Sequence, residues 1–201
     1  LDANTRIVVL SASAGVTNIL VALAGGLEPT ERFSQLDALR QIQFNILERL
    51  RYPNVIREEI ERLLENITTL AEAAGVTLLL EPLNTRIDHP GMFLNDTRLA
   101  LDIIEAVDSP RLQLLFDVYH SMVMEEEMEE VLGGRMHRVG HVQIAQAPDR
   151  NEPDPRSGEW PALIARLQRL GYNGAIGLEY KPSLPAAASV ARAREATGLS
   201  C

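Results

Sequence analysis

The sequence predicts an α/β protein with parallel strands, built as part of a (β/α)8 barrel. Three observations carry this. From Gly75 onward, short apolar runs alternate with helical patterns in the order β-α-β-α-β-α-β-α, and such alternation means parallel strands joined by helical crossovers. Each run ends on an oxygen-bearing side chain: Glu81 after LLL, Asp117 after LLF, Gln143 in VGHVQIA and Glu179 after AIGL. These four are 36, 26 and 36 residues apart, spacings that suit one strand–helix unit each. A doubly wound sheet shares the first property, but a flat sheet would spread the four groups over about 15 Å at roughly 4.8 Å per strand. Convergence favours the barrel, whose functional groups sit at strand C-termini. A Glu, Asp, Gln and Glu set suits a hard or borderline divalent cation, Mg²⁺ or Mn²⁺.

Taken in order, Arg6 to Leu10 (RIVVL) is a β-branched apolar run and a strand candidate. SASAGVTN, Ser11 to Asn18, permits a tight turn whose backbone N–H groups face an anion, or an ordinary strand–turn–helix corner. A helix from Asn18 to Ala24 ends at Gly25-Gly26. Thr30 is an N-cap candidate for a helix with Leu36, Leu39, Ile42, Phe44, Ile46, Leu47 and Leu50 on one stripe. Pro53 is expected to break it, with Asn54 capping a second helix that turns Ile56, Ile60, Leu63, Leu64, Ile67 and Leu70 inward. Gly75 closes that helix, and Val76 to Glu81 is the first strand to carry a site residue. Asn95 or Asp96 caps a helix from Thr97 to Val107, stopped by Ser109-Pro110. Leu112 to Asp117 is a strand, Met122 to Leu132 a helix, and Val139 to Ala145 a strand. A polar, Pro-rich loop leads to a helix from Trp160 to Leu170, then a strand from Ala175 to Tyr180 and a helix from Ala186 to Thr197.

The formal net charge of −9 and the lack of a basic stripe argue against a nucleic-acid partner. The dense run EEEMEE, Glu125 to Glu130, reads as a solvated helix face. One cysteine, Cys201, excludes a disulfide framework and makes a reducing cytoplasm the default. No apolar run reaches the roughly 18 residues of a membrane span. The chain opens within LDANTRIVVL without Met or a signal-peptide pattern, which reads as a fragment or an internal start. His89, His137 and His141 read as structural or surface residues, and Met122, Met124 and Met128 as helix packing.

LLLEPLNTR, HPGMFLNDT, LQLLFDVYHSMVMEE, GHVQIAQAPDRNEP, SGEW and GYNGAIGLEYKP resemble the hydroxypyruvate isomerase family, within the xylose-isomerase-like barrels, over residues 75–201. The resemblance implies that Glu81, Asp117, Gln143 and Glu179 hold a divalent metal, with Glu81 and Glu179 as the acid–base pair. It makes His120 a substrate-side histidine, and Arg150, Glu152 and Lys181 residues of site-lining motifs, with Glu152 and Lys181 assigned to substrate binding. The implied reaction interconverts hydroxypyruvate and tartronate semialdehyde, or a similar short hydroxy-carbonyl acid, through a metal-stabilised ene-diolate.

Residues 1–74 depart from that family. RIVVLSASAGVTN, LDALRQIQFNILERLRYPNVIREEIERLLENIT and LAEAA are similar to a lysine-sensitive aspartokinase, without its opening lysine–glycine–glycine strand or its nucleotide half. Ser11, Ser13 and Thr17 match its substrate-loop positions. The chain thus reads as a mosaic with a seam near LAEAAG. A full barrel needs about 250 residues, so the second part is half of one, leaving two sheet edges. Either the N-terminal segment covers the open face or two chains pair as a homo-oligomer. An aspartokinase-like fragment that binds aspartate without transferring phosphate, and a non-catalytic mosaic, are the alternatives to an isomerase.

Overall fold

The computed structural model describes residues 7–10, 28, 31, 34 and 53–199. The expected turn at 11–18, the helices at 18–24 and 36–50, and Cys201 lie outside the described residues. Among the described residues, five strands form one sheet: β1 (Ile7–Leu10), β2 (Thr77–Leu80), β3 (Leu112–Asp117), β4 (Val139–Ile144) and β5 (Ile176–Leu178). All neighbours are parallel, and their spatial order is their chain order. Sequential order decides between the two expected classes, because a doubly wound sheet reverses its order at a switch point, whereas a barrel wall does not.

Helix α1 (Pro53–Ala74) precedes β2, and α2 (Thr97–Val107) precedes β3. Pro53 opens α1, since a first-turn proline forfeits no helical hydrogen bond, so Asn54, expected as the cap, lies inside the first turn. The helix that Pro53 was expected to break lies outside the described residues. Ile56, Leu64, Thr68 and Ala71 form the buried face of α1, while Ile67 and Leu70, expected inward, are exposed. Of the two expected caps for α2, Asp96 serves, accepting from the Leu99 N–H at 2.8 Å. α5 (Trp160–Arg169) and α6 (Ala186–Thr197) follow as the sequence predicts.

The expected helix from Met122 to Leu132 is two helices, α3 (Val118–Met124) and α4 (Met128–Leu132). α3 starts directly after β3 because Asp117 caps it, and it ends where Glu125 adopts the left-handed conformation, φ 62°. EEEMEE is therefore a junction rather than one solvated face. Glu126 accepts from the Thr97 N–H (2.8 Å) and Oγ1 (2.6 Å) at the head of α2.

Leu78, Leu80, Leu112, Leu114, Phe116, Val142 and Ile144 pack the sheet against Ile103 and Ile104 of α2 and Trp160 and Leu167 of α5. The opposite face carries the polar groups. Strand pairing first sets Leu114 beside Val139, then shifts so that Leu115 meets His141 and Asp117 meets Gln143. Gly140 is the extra residue. Were the pairing to run on without this shift, Val142 would oppose Asp117 and Gln143 would point into the helix layer, since side chains alternate faces. A Cβ on Gly140 would meet Leu79 Cδ2 at 2.7 Å and Gln113 Cβ at 2.9 Å, so the bulge requires glycine.

Candidate metal centre

Glu81 is the first residue beyond β2 and is buried. Asp117 closes β3 and caps α3: its Oδ1 accepts from the Tyr119 N–H at 2.9 Å, which leaves Oδ2 toward the opposite face. His120 stands in the first turn of α3, one helical turn past Asp117. Gln143 lies beside Asp117 in register. Sheet and cap together thus place these side chains at one end of three adjacent strands.

Among the described residues, Glu81, Asp117 and His120 each offer one ligand atom within 4.8 Å of the others. His120 Nε2 lies 3.6 Å from Asp117 Oδ2 and 3.9 Å from Glu81 Oε1. Glu81 Oε1, Asp117 Oδ2, His120 Nε2 and Gln143 Oε1 are all buried without a hydrogen-bond partner. Buried polar atoms are almost always paired, so four orphans in one place mark a site for something to bind. Burial, reinforced by the charges of Asp117 and Glu179, pushes the Glu81 carboxyl up to about 8. Burial likewise raises Asp117 to about 7, against the opposing pull of the Tyr119 N–H and Arg150. Burial, helped by the Arg150 charge, lowers His120 to about 3, so the imidazole is neutral at physiological pH. Its short distances to the two carboxylates are therefore contacts, not ion pairs.

Glu179 is placed differently. It lies just beyond β5, is 50% exposed, and pairs with Arg150 Nη2 at 3.3 Å. The same guanidinium nitrogen is 3.7 Å from Asp117 Oδ2, and the group lies 5.0 Å over the Tyr119 ring. Among the described residues, Arg150 is thus the cation that reaches Asp117 and Glu179. Lys181 is largely exposed, its Nζ 3.8 Å from Asp88 Oδ1. Glu152 is buried, with both oxygens engaged by Ser183: Oε1 accepts from Oγ at 2.6 Å and Oε2 from the N–H at 2.9 Å. In this arrangement Glu152 anchors the segment after β5. Sequence reasoning left Asn84 and Asp88 unremarked. Asn84, wholly buried, accepts the Ile87 and Asp88 N–H groups on Oδ1, both at 3.0 Å. Such a turn closed by an Asn side chain is a recurrent use of Asn, and PLNTRID carries that signal.

The chain matches the xylose isomerase-like TIM barrels over residues 5–197, and it belongs to that family. The match runs through the stretch where two resemblances meet in the sequence. Two bacterial isomerases are among its relatives. One is the 2-oxo-tetronate isomerase of Cupriavidus necator, 42% identical over 122 residues (59% of this chain and 46% of that protein). The other is the hydroxypyruvate isomerase of Escherichia coli, 34% identical over 143 residues (71% and 49%). The chain therefore spans about half the length of these relatives. Over 75 residues the chain is also 81% identical to lysine-sensitive aspartokinase 3 of Escherichia coli, covering 37% of this chain and 17% of that enzyme. Among solved structures, a family 2 AP endonuclease from Brucella melitensis superposes with a TM-score of 0.63 at 30% identity, covering 69% of this chain and 54% of that one.

Proposed function

We propose that this chain carries the metal-binding half of an isomerase that moves a proton between adjacent carbons of a short hydroxy-carbonyl acid, hydroxypyruvate or a near relative. The observation that supports this most is the set of buried, unpartnered oxygens on Glu81, Asp117 and Gln143. Their donor set fits a divalent cation of the Mg²⁺ or Mn²⁺ kind. Glu81, Asp117 and Gln143 would hold it, and Glu179 would join by turning inward from Arg150. Such a cation, when bound, polarises a carbonyl and offsets the charge that develops on its oxygen.

The remaining work falls to the protein. In hydroxypyruvate, C3 bears the hydroxyl and C2 the carbonyl. Removal of a C3 proton and its return to C2, with the hydroxyl proton passing from the C3 oxygen to the C2 oxygen, yields tartronate semialdehyde with no net gain or loss of atoms. Glu81, freed from the cation or loosely held, is one candidate base, and Glu179 is the other. Arg150 supplies a guanidinium suited to the substrate carboxylate. His120 Nε2 faces the same space. The buried walls exclude water, which strengthens each of these interactions.

Proton transfer is read most simply in ²H₂O. With Mn²⁺ or Mg²⁺ and hydroxypyruvate, the protein is expected to catalyse deuterium incorporation at C3, followed by NMR, and Glu81→Gln to slow it by about 100-fold or more. Equal incorporation with and without protein would overturn the reading.

A further inference from the structure

We infer that Asn84 is a positioning residue that fixes the tautomer of His120, so that Nε2 carries the proton and His120 serves as a hydrogen-bond donor rather than a metal ligand or a base. His120 Nδ1 meets two donors. The Asn84 backbone N–H is 3.1 Å away and can only donate. The Asn84 side-chain nitrogen is 2.7 Å away. The identity of that nitrogen is set independently, because the other amide atom accepts from two backbone N–H groups, Ile87 and Asp88, and must be the oxygen. Its second hydrogen goes to Asp88 Oδ2 at 2.8 Å, an oxygen that also accepts from the Tyr119 hydroxyl at 2.6 Å.

Every atom of the amide is thereby assigned, and Nδ1 is an acceptor twice over. A neutral imidazole then has its hydrogen on Nε2. That nitrogen is buried, without a partner, and aimed between Glu81 and Asp117 at distances too long for a hydrogen bond. Nε2–H therefore awaits an acceptor that the protein does not supply. A cation would meet a hydrogen there instead of a lone pair. The set of three ligand atoms that geometry alone suggests thus reduces to the two carboxylates, with Gln143 as the further oxygen. Asp88, Asn84 and His120 form one line of hydrogen bonds that orients the donor.

The tautomer is independent of the isomerase reading. Only the role, donation to a substrate oxygen, rests on it. Long-range ¹H–¹⁵N correlation of the imidazole in the metal-free full chain tests the tautomer directly. Wild type is expected to show a protonated Nε2 and a bare Nδ1 for His120. Asn84→Asp keeps an oxygen for the Ile87 and Asp88 N–H groups but places an acceptor beside Nδ1, and is expected to shift the proton toward Nδ1. A wild-type His120 protonated at Nδ1, or mixed, would overturn the inference, as would an identical spectrum in folded Asn84→Asp. If turnover is established, the same variant is expected to lower kcat about 10- to 100-fold with KM little changed. Unchanged turnover beside a switched tautomer would remove the role while leaving the lock intact.

Discussion

Asp117 divides its two oxygens between structure and site. Oδ1 caps α3, and Oδ2 faces Glu81 and His120. One residue therefore sets the direction of the helix that carries His120 and contributes an oxygen to the same cluster. Glu152 is a carboxylate of the opposite kind. The Ser183 hydroxyl and N–H hold it at about 2, well below the usual carboxylate range. A depressed folded-state pKa contributes stability above the ordinary value, and that contribution is lost as the pH falls from about 4 toward 2. Glu152→Gln is therefore expected to melt below wild type at pH 7, with the gap narrowing by pH 3. A gap that stays constant in thermal melts across that range would show that the charge is not what matters. The acids themselves were legible, because an apolar run that stops on a carboxylate is a local pattern. Asn84 was not, because its partner His120 lies 36 residues away, and no spacing rule joins a turn to the next unit's helix.

At the scale of elements, the glycine bulge in β4 decides which face Gln143 occupies. VGHVQIA reads as a strand, but the sequence does not say that Gly140 is left out of the alternation. An isolated glycine in a strand pattern is the signal available. Gly140→Val is expected to cost about 1–3 kcal/mol of stability and to weaken Mn²⁺ binding, because relieving the clash with Leu79 and Gln113 disturbs the register. Denaturant melts and a Mn²⁺ titration check this, and a variant with both properties unchanged would refute the role assigned to the bulge. The split of α3 from α4 escaped the sequence for a related reason. Met124 and Met128 keep a four-residue helical spacing across the break, while Asp117 and Glu125 set the true ends of α3 through cap geometry.

For the molecule as a whole, the period of the βα units carries most of the fold. Alternation imposes parallel strands, and among the described residues the five strands lie in chain order, as in a barrel wall. Among the described residues, no helix is long and apolar enough to cross a membrane. The strand at 7–10, from the part that resembles an aspartokinase, pairs in parallel with β2 from the isomerase-like part. β1 and β5 form the two ends of the described sheet. β5 is only three residues long, and Leu178 and Glu179 at its end are exposed. Glu179 accordingly stands apart from the buried acids, although the sequence groups it with them.

Glu81, Asp117 and Gln143 are proposed to share one divalent cation. Calorimetric titration of Mn²⁺ into the metal-free chain, beside Asp117→Asn, tests it most directly. Asn caps a helix as well as Asp does, so the variant keeps its α3 start while losing a charged ligand. One Mn²⁺ per chain is expected for wild type, with at least tenfold weaker binding for the variant and tighter binding at pH 8 than at pH 6, since protons compete for the carboxylates. Equal Mn²⁺ binding by both proteins, or none by wild type, would contradict it.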